Sequence, residues 1–168
     1  MLPAMSQMVA LLFVTQTAGP PACPPTAKLA ETQLADIAAA HKLTQAAVQS
    51  GNYAPVSVAL LGGTATHVVR QDSGGAFGGV GYLATVEYSF SGTLAAFRDR
   101  FLAAYPTAGS FRTTCTDGIC TRKIADPADL HVDRIEGIVP RGSLSIASLR
   151  TDHRDASKVI LSCMYRGR

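Results

Sequence analysis

Residues 80-VGYLATVEYSF-90 run directly into 91-SGTLAAFRDRFLAAYP-106, and the hydrophobic period changes between the two. In the first stretch Val80, Tyr82, Ala84, Val86, Tyr88 and Phe90 take alternate positions, with Thr85, Glu87 and Ser89 between them. A period of two marks a strand with one apolar face. In the second, Leu94, Phe97, Phe101, Leu102 and Tyr105 recur at helical spacing. Ser91 or Thr93 is placed to cap the helix, and Pro106 and Gly109 end it. Arg98, Asp99 and Arg100 fall off the stripe and read as a solvated face. The strand and the helix are therefore expected to supply the core.

Upstream, 56-VSVALLGG-63 and 65-ATHVVRQ-71 read as a strand pair with Gly62-Gly63 as the turn. Before them, 28-KLAETQLADIAAAHKLTQAAVQSG-51 places Ala30, Leu34, Ile37, Ala38 and Val48 at helical spacing, as one helix or two broken near His41, with Gly51 as the stop. Downstream, strands are expected over about 130–139, 143–150 and 157–165, separated by Pro140-Arg141-Gly142 and by 151-TDHRDAS-157. Short strands with tight turns predict a mainly antiparallel sheet, packed by the N-terminal helical segment and one central amphipathic helix, in the α+β class. With 168 residues, the chain suits one domain, here residues 28–168 after a leader at 1–27.

The stretch 109-GSFRTTCTDGICTRKIA-125 predicts a hairpin, because Asp117-Gly118 suits a type I′ loop. That loop fixes the register. Thr116 faces Ile119, Cys115 faces Cys120, Thr114 faces Thr121, Thr113 faces Arg122, Arg112 faces Lys123 and Phe111 faces Ile124. Cys115 and Cys120 then form a non-hydrogen-bonded pair with Cα atoms about 4.5 Å apart, within reach of a disulfide. The alternatives are a metal or redox pair, but C-x₄-C is not the redox C-x-x-C spacing and no second Cys/His pair has zinc-site spacing. Arg112 opposite Lys123 is a like-charge pair, readable as a solvated edge or as a site for an acidic partner.

The apolar run 8-MVALLFV-14, followed by 15-TQTAGPPACPPTA-27, has the length of an export signal and is too short to span a bilayer as a helix. No Lys or Arg precedes it, no clean A-x-A site follows, and Met1, Met5 and Met8 leave the start open. Lipidation of Cys23 is disfavoured by the preceding 20-PPA-22. A disulfide and a leader together point to a periplasmic or secreted protein. Pairing of Cys23 with Cys163 depends on where the leader ends and stays open.

Composition is 47% hydrophobic and 16% charged, with a formal net charge of +3. Residues 1–92 carry net −1 and residues 93–168 net +4, with basic residues interleaved with Asp. This is not the dense basic patch of a nucleic-acid binder. The glycine-rich 74-GGAFGGVG-81 lacks the Lys-Ser/Thr of a phosphate loop and leads into a strand, so it reads as a hairpin loop. No helix-turn-helix is built either, since the helical segment lacks the turn glycine and a basic recognition face.

The strongest polar constellation is 129-DLHVD-133, whose Asp129, His131 and Asp133 share one side of a strand and could bind a divalent metal or act as an oriented base. The same pattern arises on an ordinary solvent face. The residues 152-DHRD-155 sit in a turn and read as a solvated loop. No G-x-S-x-G nucleophile motif occurs, no family resemblance emerges, and neither cofactor nor metal is expected. Two functions remain. One is an exported, non-catalytic binding module for an acidic protein or envelope component, with Arg112 and Lys123 as candidate contacts. The other is a small exported enzyme, for instance a hydrolase, using His131 with Asp129 and Asp133.

Overall fold

The computed structural model describes residues 22–49, 51–71, 82–105, 113–116, 119–122, 130–133 and 140–167. Helices α1 (Ala27–Ala40) and α2 (Gln45–Gln49) precede β1 (Ala54–Leu60), β2 (Gly63–Gln71), β3 (Tyr82–Ser91) and helix α3 (Leu94–Ala104). There follow the short strands β4 (Thr113–Thr116), β5 (Ile119–Arg122) and β6 (Leu130–Asp133), then β7 (Leu144–Thr151) and β8 (Lys158–Arg166). The sheet is antiparallel throughout, in the order β1-β2-β3-β8-β7 with β6 at the β7 edge, while β4 and β5 pair separately. Two meanders thus meet at the β3–β8 seam. The α+β class expected from the sequence is the class observed.

Register sorts the sheet into two faces. Across one, Val68, Tyr88, Leu161 and Leu149 lie in a single lateral row, and Arg70, Val86, Cys163 and Ala147 in the next. Apart from Arg70 these are fully buried, and they form one core with α1, α3 and the N-terminal segment. The ring of Phe97 packs on Phe90 with centroids 5.0 Å apart, and Phe101 on Tyr105 at 4.9 Å. Of the stripes read from the sequence, Ala30, Leu34, Ile37, Ala38 and Val48, then Phe97, Phe101 and Tyr105, are buried, while Leu94 and Leu102 are partly buried against the core.

The N-terminal helical segment is two helices, broken at His41 and Lys42, where Lys42 takes positive φ. The β1–β2 turn lies one residue earlier than expected. Leu61 and Gly62, at φ 49° and 62°, form the two-residue loop, and Leu60 pairs with Gly63. Positive φ at both loop positions is what a type I′ hairpin demands, and Leu61 accepts it at a cost of about 1–2 kcal/mol. Gly63 has another task. A Cβ on it would stand 2.6 Å from Phe97 Cε1, so this glycine lets the Phe97 ring press against the hairpin. Arg100 is exposed, as expected of a solvated face, and donates from Nη1 to the Gly62 carbonyl over the same turn.

Residues 22–26 are tied to the sheet. Cys23 is disulfide-bonded to Cys163 of β8. The Cys23 N–H donates to Tyr105 Oη (2.9 Å), Tyr165 Oη donates to the Pro24 carbonyl (3.1 Å), and the Leu144 N–H donates to Pro25 O (2.9 Å). Thr26 bridges Ser143 and caps α1 through Leu29 N. The pairing that the sequence left open is therefore made.

Candidate functional site

Helices α1 and α2 and strand β2 line an open pocket of about 520 Å³, formed by Glu31, Leu34, Ala35, Ala38, Ala39, Leu43, Gln45, Val48 and Arg70. Its walls are mostly aliphatic, and the alanines at 35, 38 and 39 leave the volume that larger side chains would fill. The size lies within the roughly 300–1,000 Å³ of small-molecule sites, which combine apolar walls with a few fixed polar groups.

The polar group here is Arg70. Its cross-strand partner is Val86, so it occupies a core-facing position among Val68, Tyr88 and Val86. A guanidinium buried there without a counter-charge would be strongly unfavourable. Glu31 of α1 meets it, with Oε1 3.1 Å from Nη2. The two partners differ in setting. The Arg70 side chain is 13% exposed and that of Glu31 52%, so the cation belongs to the pocket wall and the carboxylate to the rim.

His41 holds α1 against the sheet edge. Its Nδ1–H donates to the Ile37 carbonyl (2.9 Å), which leaves Nε2 to accept the Ser57 N–H of β1 (2.8 Å). One imidazole thus terminates α1 and ties it to the bulged edge strand. The chain then turns through Leu43, whose N–H donates to Ala38 O (2.9 Å), and Thr44 Oγ1 accepts from Ala47 N as α2 begins.

The opposite face of the sheet carries the row Val69, Glu87, Ser162, Ser148 and His131 across β2, β3, β8, β7 and β6. Glu87 is its centre. Tyr53 Oη donates to Glu87 Oε2 (2.6 Å), and Arg150 reaches across β8 to Oε1 (3.3 Å). Burial raises the Tyr53 pKa above the usual phenol value, and the hydrogen bond and charge of Glu87 raise it further. Ser162 and Ser148 are buried in this row, and Ser162 Oγ has no hydrogen-bond partner among the described residues.

The expected site residues are distributed as follows. His131 and Asp133 lie on β6, opposite Ser148 and Ile146, and Asp129 lies outside the described residues. Three strand spacings, roughly 14 Å, separate His131 from Glu87 at the backbone. The hairpin register is as read, with Cys115 opposite Cys120 and Thr116 opposite Ile119. Arg112, Lys123, the Asp117-Gly118 loop and the glycine-rich stretch 74–81 lie outside the described residues. In 152-DHRD-155, Asp152 and Asp155 accept the Arg154 and Ser157 N–H groups as turn caps. No group of three or more His, Cys, Asp or Glu among the described residues is placed to hold a metal ion. The sequence reading missed Arg70 and Glu31. The usable signal was parity, since Arg70 shares its side of β2 with Val68.

No protein-family model, no curated protein and no solved structure matches this chain.

Proposed function

We infer that the chain is a non-catalytic binding module of an oxidising compartment, periplasmic or extracellular, and that it takes a small ligand between α1 and α2. The observation that carries this reading is an aliphatic pocket with a mostly buried arginine in its wall. The compartment is supported by the Cys23–Cys163 disulfide, a bond that persists where thiols are not kept reduced. No described helix is long and apolar enough to cross a membrane.

A fluorescent apolar dye such as anilinonaphthalene sulfonate tests the site. One saturable dye site per chain is expected, lost in Ala35→Phe, which fills the pocket from an exposed position. Dye binding that never saturates, or that Ala35→Phe leaves unchanged, would sink the reading. Intact mass of the protein from its native host, with and without reduction, tests the compartment. Cleavage before Cys23 with that cysteine protected until reduction is expected, and free thiols at Cys23 and Cys163 would contradict it.

A second reading, a small exported hydrolase using His131 with Asp129 and Asp133, is favoured by the cross-strand pairing of His131 with Ser148. It requires a hydrolytic activity that His131→Ala abolishes while the fold stays intact.

A further inference from the structure

We propose that the pocket selects an uncharged guest, an alkyl chain with a neutral polar head of the alcohol, ester or amide kind, its chain along Leu34, Ala38, Leu43 and Val48 and its head at Gln45. This rests on the reading of the pocket as a ligand site and names its ligand class. Six of the nine described lining side chains are aliphatic, one is the Gln45 amide, and the two formal charges, Arg70 and Glu31, cancel. They also meet, with Glu31 Oε1 3.1 Å from Arg70 Nη2, and Arg70 makes a further interaction besides. The guanidinium is therefore a fixed part of the wall and not a receptor for an anion.

Charge decides the selection. An ionised head is costly to take out of water unless an unpaired counter-charge meets it, and neither sign finds one here. A carboxylate near the mouth would face the Glu31 carboxylate, whose side chain is 52% exposed. An ammonium laid against the wall would face the Arg70 guanidinium, whose side chain is 13% exposed. A neutral head meets neither obstacle. Gln45 places an exposed amide in the lining, with an oxygen that accepts and an NH₂ that donates, so it can pair with a hydroxyl in either sense and with an ester or amide carbonyl in one. Along the aliphatic walls each methylene taken from water should raise affinity roughly fourfold until the pocket is full.

Calorimetry with decanol, decanoate and decyltrimethylammonium on the full folded chain tests this, together with phenylnaphthylamine and anilinonaphthalene sulfonate, dyes that differ by the sulfonate. Decanol is expected to bind at least about tenfold more tightly than either ion, with an affinity unchanged by salt between low and moderate ionic strength. The dye without the sulfonate should bind more tightly than the dye with it. Glu31→Gln, which unbalances the charges of the lining toward Arg70, should lift decanoate severalfold relative to decanol, and Ala35→Phe should remove decanol binding. Circular dichroism is the fold control for both variants. Either ion binding as tightly as decanol, or a decanoate-to-decanol ratio that Glu31→Gln leaves unchanged, would overturn the neutral-guest assignment and leave the pocket standing. A saturable dye site that no decyl probe enters would overturn the alkyl chain alone. Absence of both the dye site and decanol binding would overturn the guest and the pocket together.

Discussion

Cys23 and Cys163 join the segment before α1 to the centre of β8 across a separation of 140 residues, beside two tyrosine hydroxyls that hold the same segment, Tyr105 Oη at Cys23 N and Tyr165 Oη at Pro24 O. Closing so long a loop restricts the unfolded chain strongly, by about 5 kcal/mol in the chain-entropy account. Cys23→Ala with Cys163→Ala should therefore lower the midpoint of thermal unfolding by roughly 10 °C or more for a chain of this size. A shift of only a degree or two would show that the hydrogen bonds of residues 23–26 hold the segment without the covalent bond.

Gly63 should tolerate no side chain. Its Cβ would overlap the Phe97 ring at 2.6 Å, and Phe97 is itself fixed between the hairpin and Phe90. Gly63→Ala is expected to cost about 1–3 kcal/mol, the usual range for overpacking a core, read as a lower urea midpoint at unchanged slope. Gly51→Ala, at φ +74° with nothing within 4 Å of the added carbon, isolates the cost of backbone strain alone. Gly63 carries no such strain, so a Gly63→Ala variant that unfolds like the wild-type chain would show that the ring contact contributes nothing.

Much of this fold was legible because its strongest signals are periodic. Tyr88 and Phe90 in β3, and Phe97, Phe101 and Tyr105 along and just after α3, carry periods of two and 3.6 with bulky side chains, and tertiary packing had no reason to override them. The turn at residues 61–62 was misplaced by one because two adjacent glycines offer equal backbone freedom; only the Phe97 ring, distant in sequence, assigns Gly63 to packing and leaves Leu61 in the loop. The pocket was illegible for a related reason. Arg70 and Glu31 are 39 residues apart and meet only once α1 lies on the sheet, and the bulge at Thr66 hides the parity of Arg70 when β2 is counted from Ala65. The chain also gives no local sign that Glu87, one polar residue in an alternating strand, gathers Tyr53 from before β1 and Arg150 from β7 on one face of the sheet.

Alkaline titration should reveal the buried phenols. Tyr53, Tyr88 and Tyr165 all have pKa values raised above the ordinary 10.0, chiefly by burial, with Glu87 adding to the rise at Tyr53 and the neighbouring Tyr88 and Tyr105 to that at Tyr165. A group whose folded pKa is raised stabilises the fold fully below its unfolded pKa, and that contribution is lost as pH rises through the folded value. Stability should hold up to about pH 10 and fall above it. Tyrosinate absorbance at 295 nm should then lag behind that of free tyrosine until the chain unfolds. Glu87→Gln removes the charge and weakens the acceptor at Tyr53 but not its burial, so one phenol should ionise earlier while remaining above the free value. Five phenols titrating as free tyrosine in the folded protein would contradict the burial of Tyr88 and Tyr165.

Asp155 tests the acid side. Its carboxylate accepts from Ser157 N (3.0 Å) and Ser157 Oγ (2.6 Å) and lies 3.3 Å from Lys158 Nζ. The Ser157 hydroxyl lowers its pKa most, followed by the Ser157 amide and then Lys158. A depressed carboxylate stabilises the fold above its unfolded pKa, and that contribution disappears as pH falls through the folded value. The window therefore lies at and below about pH 4, outside the neutral range. Carbon-detected NMR titration of the side-chain carboxyl should place Asp155 below the ordinary aspartate value in the wild-type chain and move it upward in Ser157→Ala, with a smaller rise in Lys158→Met. Should Lys158→Met produce the larger change, the ion pair rather than the hydroxyl would govern this turn, and the β7–β8 connection would respond to salt instead of to the loss of one hydrogen bond.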